Sequence, residues 1–227
     1  MHKHDCFNEA LCISNIDLFK NLDMNQQKNL YLSARHLDVD NNQVVFHAND
    51  RIDQIIIIRY GNIKSSFYDS DGNEYISNVY IEGDTIGEDS IFLNRNYEMD
   101  GVTIGKTGIC MISMELIKNT LSKDKEFAIK MIENLSMKLD RSEKMLEIIS
   151  IRDSYKRLAT FLLYRSQRLK SNTISLNQEN IASSINMTRE TVSRKLSQLR
   201  SEGIIDQIGY KEIKIVNRPA LIKLVKV

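Results

Sequence analysis

The amino-acid sequence predicts an α+β chain in three parts: an N-terminal antiparallel β-roll of the double-stranded β-helix or jelly-roll kind, a long helix, and a C-terminal winged helix-turn-helix. Three observations predict it. Residues 37–113 form short β-rich runs punctuated by Gly, Asp and Asn. Residues 122–152 place apolar side chains at alternating steps of four and three. Residues 177–199, NQENIASSINMTRETVSRKLSQL, read as two short helices broken at Ile185-Asn186-Met187, and two alternating segments follow. The predicted parts are 1–121, 122–152 and 153–227.

A chain of 227 residues is comfortable for two domains, and 42% hydrophobic content is enough for real cores. The longest apolar candidate, Ile55 to Ile58, is far short of the ~18 residues of a membrane span. The N-terminus MHKHDC lacks the apolar segment of a secretory signal, so a cytoplasmic protein is expected. Net charge is +1, but it is unevenly placed: residues 151–227 hold 15 Lys/Arg against 6 Asp/Glu, and residues 1–150 hold 16 against 24. A basic C-terminal part suits phosphates, and an acidic N-terminal part avoids them. No grouping of nucleophile, base and orienting acid is visible, so an enzyme is not expected.

Along the chain, Leu18, Phe19, Leu22, Leu30 and Leu32 have the scatter of short helices packing on something larger. The β-runs are 42–47, 54–59, 63–68, 74–80, 101–104 and 108–113, with tight turns expected at Tyr60-Gly61-Asn62, at 69–73 and at Gly105-Lys106. In the long helix, Ala128, Ile132, Leu135, Leu139, Ser142, Leu146 and Ile149 form a stripe. Ile132, Leu135, Leu139, Ser142, Leu146 and Ile149 are its seam, and with no second long helix to cover them a homodimer is expected. Asp153 is placed to cap a helix over 154–168, with Leu158, Phe161 and Leu162 inward and Lys156, Arg157, Arg165 and Arg168 outward. The lone proline, Pro219, permits only a short terminal helix.

In the helix-turn-helix, Ile181, Ala182 and Ile185 face inward, and Thr188 is placed to cap the second helix. At ~100° per residue that helix puts Val192, Leu196 and Leu199 on one face and Arg189, Glu190, Ser193, Arg194 and Ser197 on another. The arginine fork matches the two acceptors of guanine in the major groove, and glutamate accepts from the cytosine amino group. Arg189, Glu190 and Arg194 are therefore a candidate base-reading set, with Ser193 assisting and Thr188, Ser197 and Lys195 placed for phosphate. Glu202-Gly203 ends the helix, and 204–208 with 212–216 form the wing.

The run Thr188-Arg189-Glu190-Thr191-Val192-Ser193-Arg194 resembles the recognition helix of the bacterial Crp/Fnr transcription regulators, and the resemblance extends over nearly the whole chain. It implies palindromic promoter DNA with half-sites related to TGTGA or TTGAT, RNA polymerase as a further partner, and a cyclic-nucleotide-binding β-roll as sensor. IDLFKNLDMNQQKNL is similar to the family's N-terminal helices. Gly83-Asp84-Thr85-Ile86-Gly87-Glu88 resembles the start of the phosphate-binding cassette, but an ungapped count puts Glu98, Met99 and Asp100 where the cassette has its cation and the residues after it. Two carboxylates repel a phosphate, so cyclic AMP is not expected as ligand. Glu88 is read as holding a loop through backbone amides, and Phe92 and Leu93 as core. Ser142 matches a seam serine that the family's cyclic-AMP receptors present to nucleotide, and Arg141 precedes it; Glu88, Arg141 and Ser142 are the candidate effector pocket.

The resemblance also bears on Cys6, Cys12 and Cys110. The Fnr branch binds an iron-sulfur (4Fe-4S) cluster through N-terminal cysteines and one on a late roll strand, and these three are similarly placed, although Lys3 stands where the first would be. His4, Asp5 or His2 is the candidate fourth ligand. Redox state, oxygen or nitric oxide would then be the signal. Three alternatives stay open: buried structural thiols, a reversible thiol switch, and a haem held by His36 or His47. Two whole-protein alternatives also stay open: a metal-free regulator gated by a small molecule in the roll, and a cyclic-nucleotide-binding module serving another effector.

Overall fold

The computed structural model describes residues 16, 18, 19, 22–208 and 212–225. The chain divides into two compact units, 1–67 with 78–140, and 68–77 with 141–227.

In the first unit a short helix, α1 (Met24–Ser33), starts at a reciprocal cap in which Asp23 Oδ1 accepts from the Gln26 amide at 2.9 Å and Gln26 Oε1 accepts from the Asp23 amide at 3.0 Å. Strands follow: β1 (Arg35–Val39), β2 (Val44–Phe46), β3 (Gln54–Tyr68), β4 (Glu74–Ile81), β5 (Thr85–Ile86) and β6 (Asp100–Ser113). They form one sheet in the order β1-β6-β3-β4, with β2 on β6 and β5 on β3. The Ile55–Ile58 run explains how it packs. Successive side chains on a strand point to opposite faces, so Ile55 and Ile57 join a cluster with Phe19, Leu30, Ile112 and Phe127, while Ile56 and Ile58 join Phe46, Ile63, Ile86 and Ile109. The sheet is buried on both sides, as a roll requires.

Two expected turns are absent. β3 runs through Tyr60-Gly61-Asn62 and β6 through Gly105-Lys106; the chain bulges there instead, and the register shifts between Ile58 and Tyr60 and again between Tyr60 and Asn62. Gly61 has φ +80°, and a Cβ on it would lie 2.6 Å from the Lys106 carbonyl oxygen. A bulge asks for a left-handed residue as a hairpin turn does, so glycine marks both alike. The turn at 69–73, in the second unit, forms as expected: Asp69 Oδ1 accepts from the Asp71 and Asn73 amides, each at 2.9 Å. Phe92 and Leu93 are not core; they are 79% and 55% exposed, and it is Ile91 that is buried.

The long helical stretch is broken. α2 (Met114–Lys123) stops before Asp124, and α3 (Lys125–Ser150) starts there, with Asp124 Oδ1 accepting from the Phe127 amide at 2.9 Å and Oδ2 accepting from Gln26 Nε2 at 2.9 Å. The helix expected over 122–152 is thus 125–150. Phe127, Met131 and Ile148 are its buried side chains. Ile132, Leu139 and Leu146, seven residues apart, are 64%, 62% and 68% exposed. Ser142 is also exposed, Ile149 is half-buried, and Leu135 is half-buried against the first unit's own core. The uncovered strip therefore centres on Ile132, Leu139 and Leu146, with Ile129 and Met137 also exposed.

The second unit continues with α4 (Ser154–Arg168), β7 (Thr173–Ser175), α5 (Gln178–Ser184), α6 (Arg189–Ser201), β8 (Ile205–Ile208), β9 (Glu212–Ile215) and α7 (Arg218–Val225). The wing is a three-stranded sheet, β7-β9-β8, one strand more than the sequence suggests. The buried side chains of this unit include Leu158, Phe161, Leu162, Ile174, Ile181, Ile185, Val192, Leu196, Leu199, Ile213 and Leu221. Among the described residues no helix is long and apolar enough to cross a membrane.

Candidate nucleic-acid interface

Side-chain caps and one nonlocal arginine shape the helix-turn-helix. Asn177 caps α5 by accepting from the Asn180 amide at 2.7 Å, and Thr188 caps α6 by accepting from the Thr191 amide at 3.2 Å. Between them Asn186 takes a left-handed conformation, φ +51°, which asparagine tolerates better than most residues. The turn's carbonyls are met by Arg157 of α4: Nη1 donates to Ile185 O at 3.1 Å and to Asn186 O at 3.0 Å, and Nε to Ile151 O at 2.8 Å. Arg157 was expected to point outward, and so was Arg165, which is 3% exposed. Arg157 is taken up by backbone acceptors and Arg165 is buried inside the unit. Sequence reasoning missed Arg157 because its partners lie about thirty residues away and are backbone atoms, which leave no trace in residue type.

α6 then divides as its periodicity predicts. Val192, Leu196 and Leu199 are buried, while Thr188, Arg189, Glu190, Arg194 and Ser197 are exposed and Ser193 is half-exposed. The Ser197 hydroxyl donates to Ser193 O at 3.0 Å within the helix. Lys195 is half-buried, with its ammonium 5.6 Å from the Tyr155 ring centroid. Tyr155 OH donates to Glu202 Oε2 at 2.5 Å, so α4 grips α6 at both ends: Arg157 at the entry and Tyr155 at the exit. Burial first, and then the Glu202 carboxylate, push the Tyr155 hydroxyl well above its ordinary pKa, and it stays a donor. Asp153 caps α4, accepting from the Tyr155 and Lys156 amides at 2.7 and 2.9 Å; the Lys156 amide first holds its carboxyl below the ordinary carboxylate range. The arrangement is a helix held at both ends by α4, with two guanidinium groups and a carboxylate exposed.

The candidate effector residues are differently placed. Glu88 lies in the first unit, with its side chain fully buried. It does not accept backbone amides as expected. Its Oε1 takes a hydrogen bond from the Thr85 hydroxyl and lies 2.8 Å from Lys138 Nζ on α3. Arg141 and Ser142 belong to the second unit, the first half-buried and the second exposed. Asp100 Oδ1 accepts from the Ala48 amide, two residues beyond β2, at 2.8 Å. Glu98 is exposed.

Of the candidate metal ligands, Cys6, Cys12 and His4 lie outside the described residues. Cys110 sits on β6, fully buried, opposite His36 of β1. His36 Nδ1 is 3.0 Å from the Cys110 sulfur, and Nε2 is 3.2 Å from Tyr31 O. His47 is exposed, with Nδ1 3.6 Å from Asp100 Oδ1.

Comparison with known proteins gives two domain matches. The Crp-like helix-turn-helix domain family matches residues 156–224, and the cyclic nucleotide-binding domain family matches residues 37–124. The chain is 26% identical over 201 residues to the transcriptional regulatory protein btr of Bordetella pertussis, spanning 86% of this chain and 82% of that one. It is 25% identical over 231 residues to the fumarate and nitrate reduction regulatory protein of Escherichia coli K12, spanning 99% and 90%. Among solved structures, FixK2 from Bradyrhizobium japonicum is similar in fold, with a TM-score of 0.76 at 23% identity, over 84% of this chain and 96% of that one. The curated relatives are regulators of transcription, not enzymes.

Proposed function

We propose, from a chain that is a Crp/Fnr-type transcription regulator with a Crp-like helix-turn-helix and a cyclic nucleotide-binding domain, that it acts in the cytoplasm as a homodimer reading palindromic promoter DNA. The observation that carries this is the split of α6: three apolar residues buried, and Arg189, Glu190 and Arg194 exposed on a helix capped at Thr188. In the major groove Arg189 and Arg194 would donate to guanine, Glu190 would accept from cytosine, and Ser193 would assist. Thr188, Ser197 and the Lys195 ammonium would hold backbone phosphate. The uncovered Ile132, Leu139 and Leu146 of α3 would meet the same strip of a second copy, and the two-fold so formed would present two copies of α6 to successive grooves. RNA polymerase would be met on the promoter.

For the signal, the supporting observation is at Cys110. It is fully buried on β6, in the core cluster that also holds Ile16. Thiolates from Cys6, Cys12 and Cys110 with His4 would form a donor set that suits an iron-sulfur cluster. A bound cluster would supply reactivity towards oxygen or nitric oxide. A second reading, a thiol switch without iron, draws on the contact between His36 Nδ1 and the Cys110 sulfur. Gating by a small molecule at Glu88 is less favoured, because Glu88 already pairs with Lys138.

The test is a promoter-binding titration on anaerobically purified protein, repeated after air and after nitric oxide, with iron and acid-labile sulfide measured alongside. Specific binding that changes with oxidation, in protein containing both elements, is the expected result. Specific binding without iron or sulfide, unchanged by Cys6→Ser, Cys12→Ser and Cys110→Ser, would remove the cluster and leave the DNA reading intact.

A further inference from the structure

The carboxylate of Glu88 stands in the segment that matches a cyclic nucleotide-binding domain, yet this chain supplies its partners from within. Lys138 Nζ lies 2.8 Å from Glu88 Oε1, with the Glu88 side chain fully buried and that of Lys138 23% exposed. The Thr85 hydroxyl donates to the same oxygen, and Asn134 Oδ1 lies 3.5 Å from that hydroxyl. Asn134 and Lys138 are four residues apart, hence on one face of α3. The lysine ammonium also lies 5.8 Å from the centroid of the Tyr80 ring on β4. The loop is stiff at this point. Gly87 has φ +98°, and a Cβ there would come within 2.9 Å of the Gln54 carbonyl oxygen. A buried carboxylate is stable only when a cation and hydrogen bonds compensate the lost water. Lys138 is that cation, and it comes from the helix that carries the uncovered apolar strip.

We propose that Lys138 is a positioning and specificity-determining residue: it occupies from inside one oxygen of the carboxylate that a ligand hydroxyl would otherwise engage, and so fastens α3 to the Thr85–Glu88 segment. Two consequences follow from the chemistry. A ribose hydroxyl can engage Glu88 Oε1 only by displacing the ammonium, and Oε2, although without a hydrogen-bond partner, is buried away from solvent, so cyclic nucleotides are disfavoured at this carboxylate. The placement of α3 is built into the chain, and the signal that changes it must act elsewhere. The link from α3 to DNA affinity rests on the regulator reading above, whereas the fastening itself does not.

The experiment uses the full chain and its Lys138→Met, Lys138→Arg and Glu88→Gln variants. Amide hydrogen exchange is measured over residues 83–90 and 125–140, along with binding to a duplex of about 30 base pairs carrying two inverted TTGAT half-sites. Lys138→Met and Glu88→Gln should each speed exchange in both segments, leave α6 protected, and weaken duplex binding about tenfold. Lys138→Arg should keep both properties close to those of the parent chain. Glu88→Gln holds the volume and a hydrogen bond to Thr85, so it serves if Lys138→Met does not fold. Cyclic AMP at millimolar concentration should leave parent exchange unchanged. Unchanged exchange in either folded charge-removing variant, or cyclic AMP protecting residues 83–90 of the parent, would overturn the proposal. A parent chain that fails to bind the duplex while the variants still loosen α3 would instead count against the regulator reading.

Discussion

α6 and α3 each bury one face and leave another uncovered, and the uncovered faces have opposite chemistry. That of α6 carries Arg189, Glu190 and Arg194; that of α3 carries Ile132, Leu139 and Leu146. Exposed arginines retain their charge in water and lose little until a phosphate or base edge arrives, whereas an exposed seven-residue apolar repeat is unfavourable until another apolar surface covers it. On the proposed reading the first face would meet a nucleic acid and the second another copy of the same helix. Mutations should separate the two.

The largest effect is expected from removing the reading face. Arg189→Ala with Arg194→Ala should weaken specific duplex binding by about two orders of magnitude or more, each bidentate contact being worth ~1–3 kcal/mol of base discrimination. Sedimentation should still find a dimer. Unchanged affinity and sequence preference would end the reading of α6. Next, Leu139→Glu should raise the dimer dissociation constant by about two orders of magnitude, since two copies of a leucine burial worth at least ~1.5 kcal/mol are lost. Analytical ultracentrifugation checks it, and a variant that stays dimeric at micromolar concentration would move the seam off this strip. In that protein each α6 should still bind a single half-site, which keeps the two faces distinct.

Smaller effects sharpen how α6 is supported. Arg157→Met leaves the Ile185 and Asn186 carbonyls without their donor and should cost ~1–3 kcal/mol in denaturant unfolding, with weaker DNA binding although no base contact is touched. The smallest effect is at Asp153, where Asp153→Ala should cost about 1 kcal/mol or less as a lost cap. Its carboxyl titrates lower in the folded protein than in the unfolded chain. Its contribution is therefore complete above the ordinary carboxylate range and fades as pH falls through the depressed value. Parent and variant stabilities should converge in acid and diverge towards neutrality.

The elements most legible in the sequence were those fixed by local patterns. The α6 face split, the Thr188 and Asp153 caps and the 69–73 turn each follow from residues within one or two turns of chain. The boundaries of α4 matched for the same reason. Gly61 and Gly105 misled, because a positive φ is the signature of a hairpin and of a bulge alike. Phe92 misled because hydrophobicity indicates a preference for burial without saying which of two neighbours, Ile91 or Phe92, the loop turns inward. Cys6, Cys12 and His4 are legible only as a spacing pattern.

By itself the sequence determined the order of parts, the basic and acidic halves, and the residues α6 turns outward, since periodicity, charge and caps are properties of neighbouring residues. Only the tertiary structure decided that Arg157 serves the turn rather than solvent, that Leu135 packs inward while Ile132, Leu139 and Leu146 stay uncovered, and that Lys138 reaches Glu88. Each of these joins residues far apart in the chain. A long cationic side chain pairs with whatever buried acceptor the fold brings within its reach, and that acceptor is set by packing, which residue type does not encode.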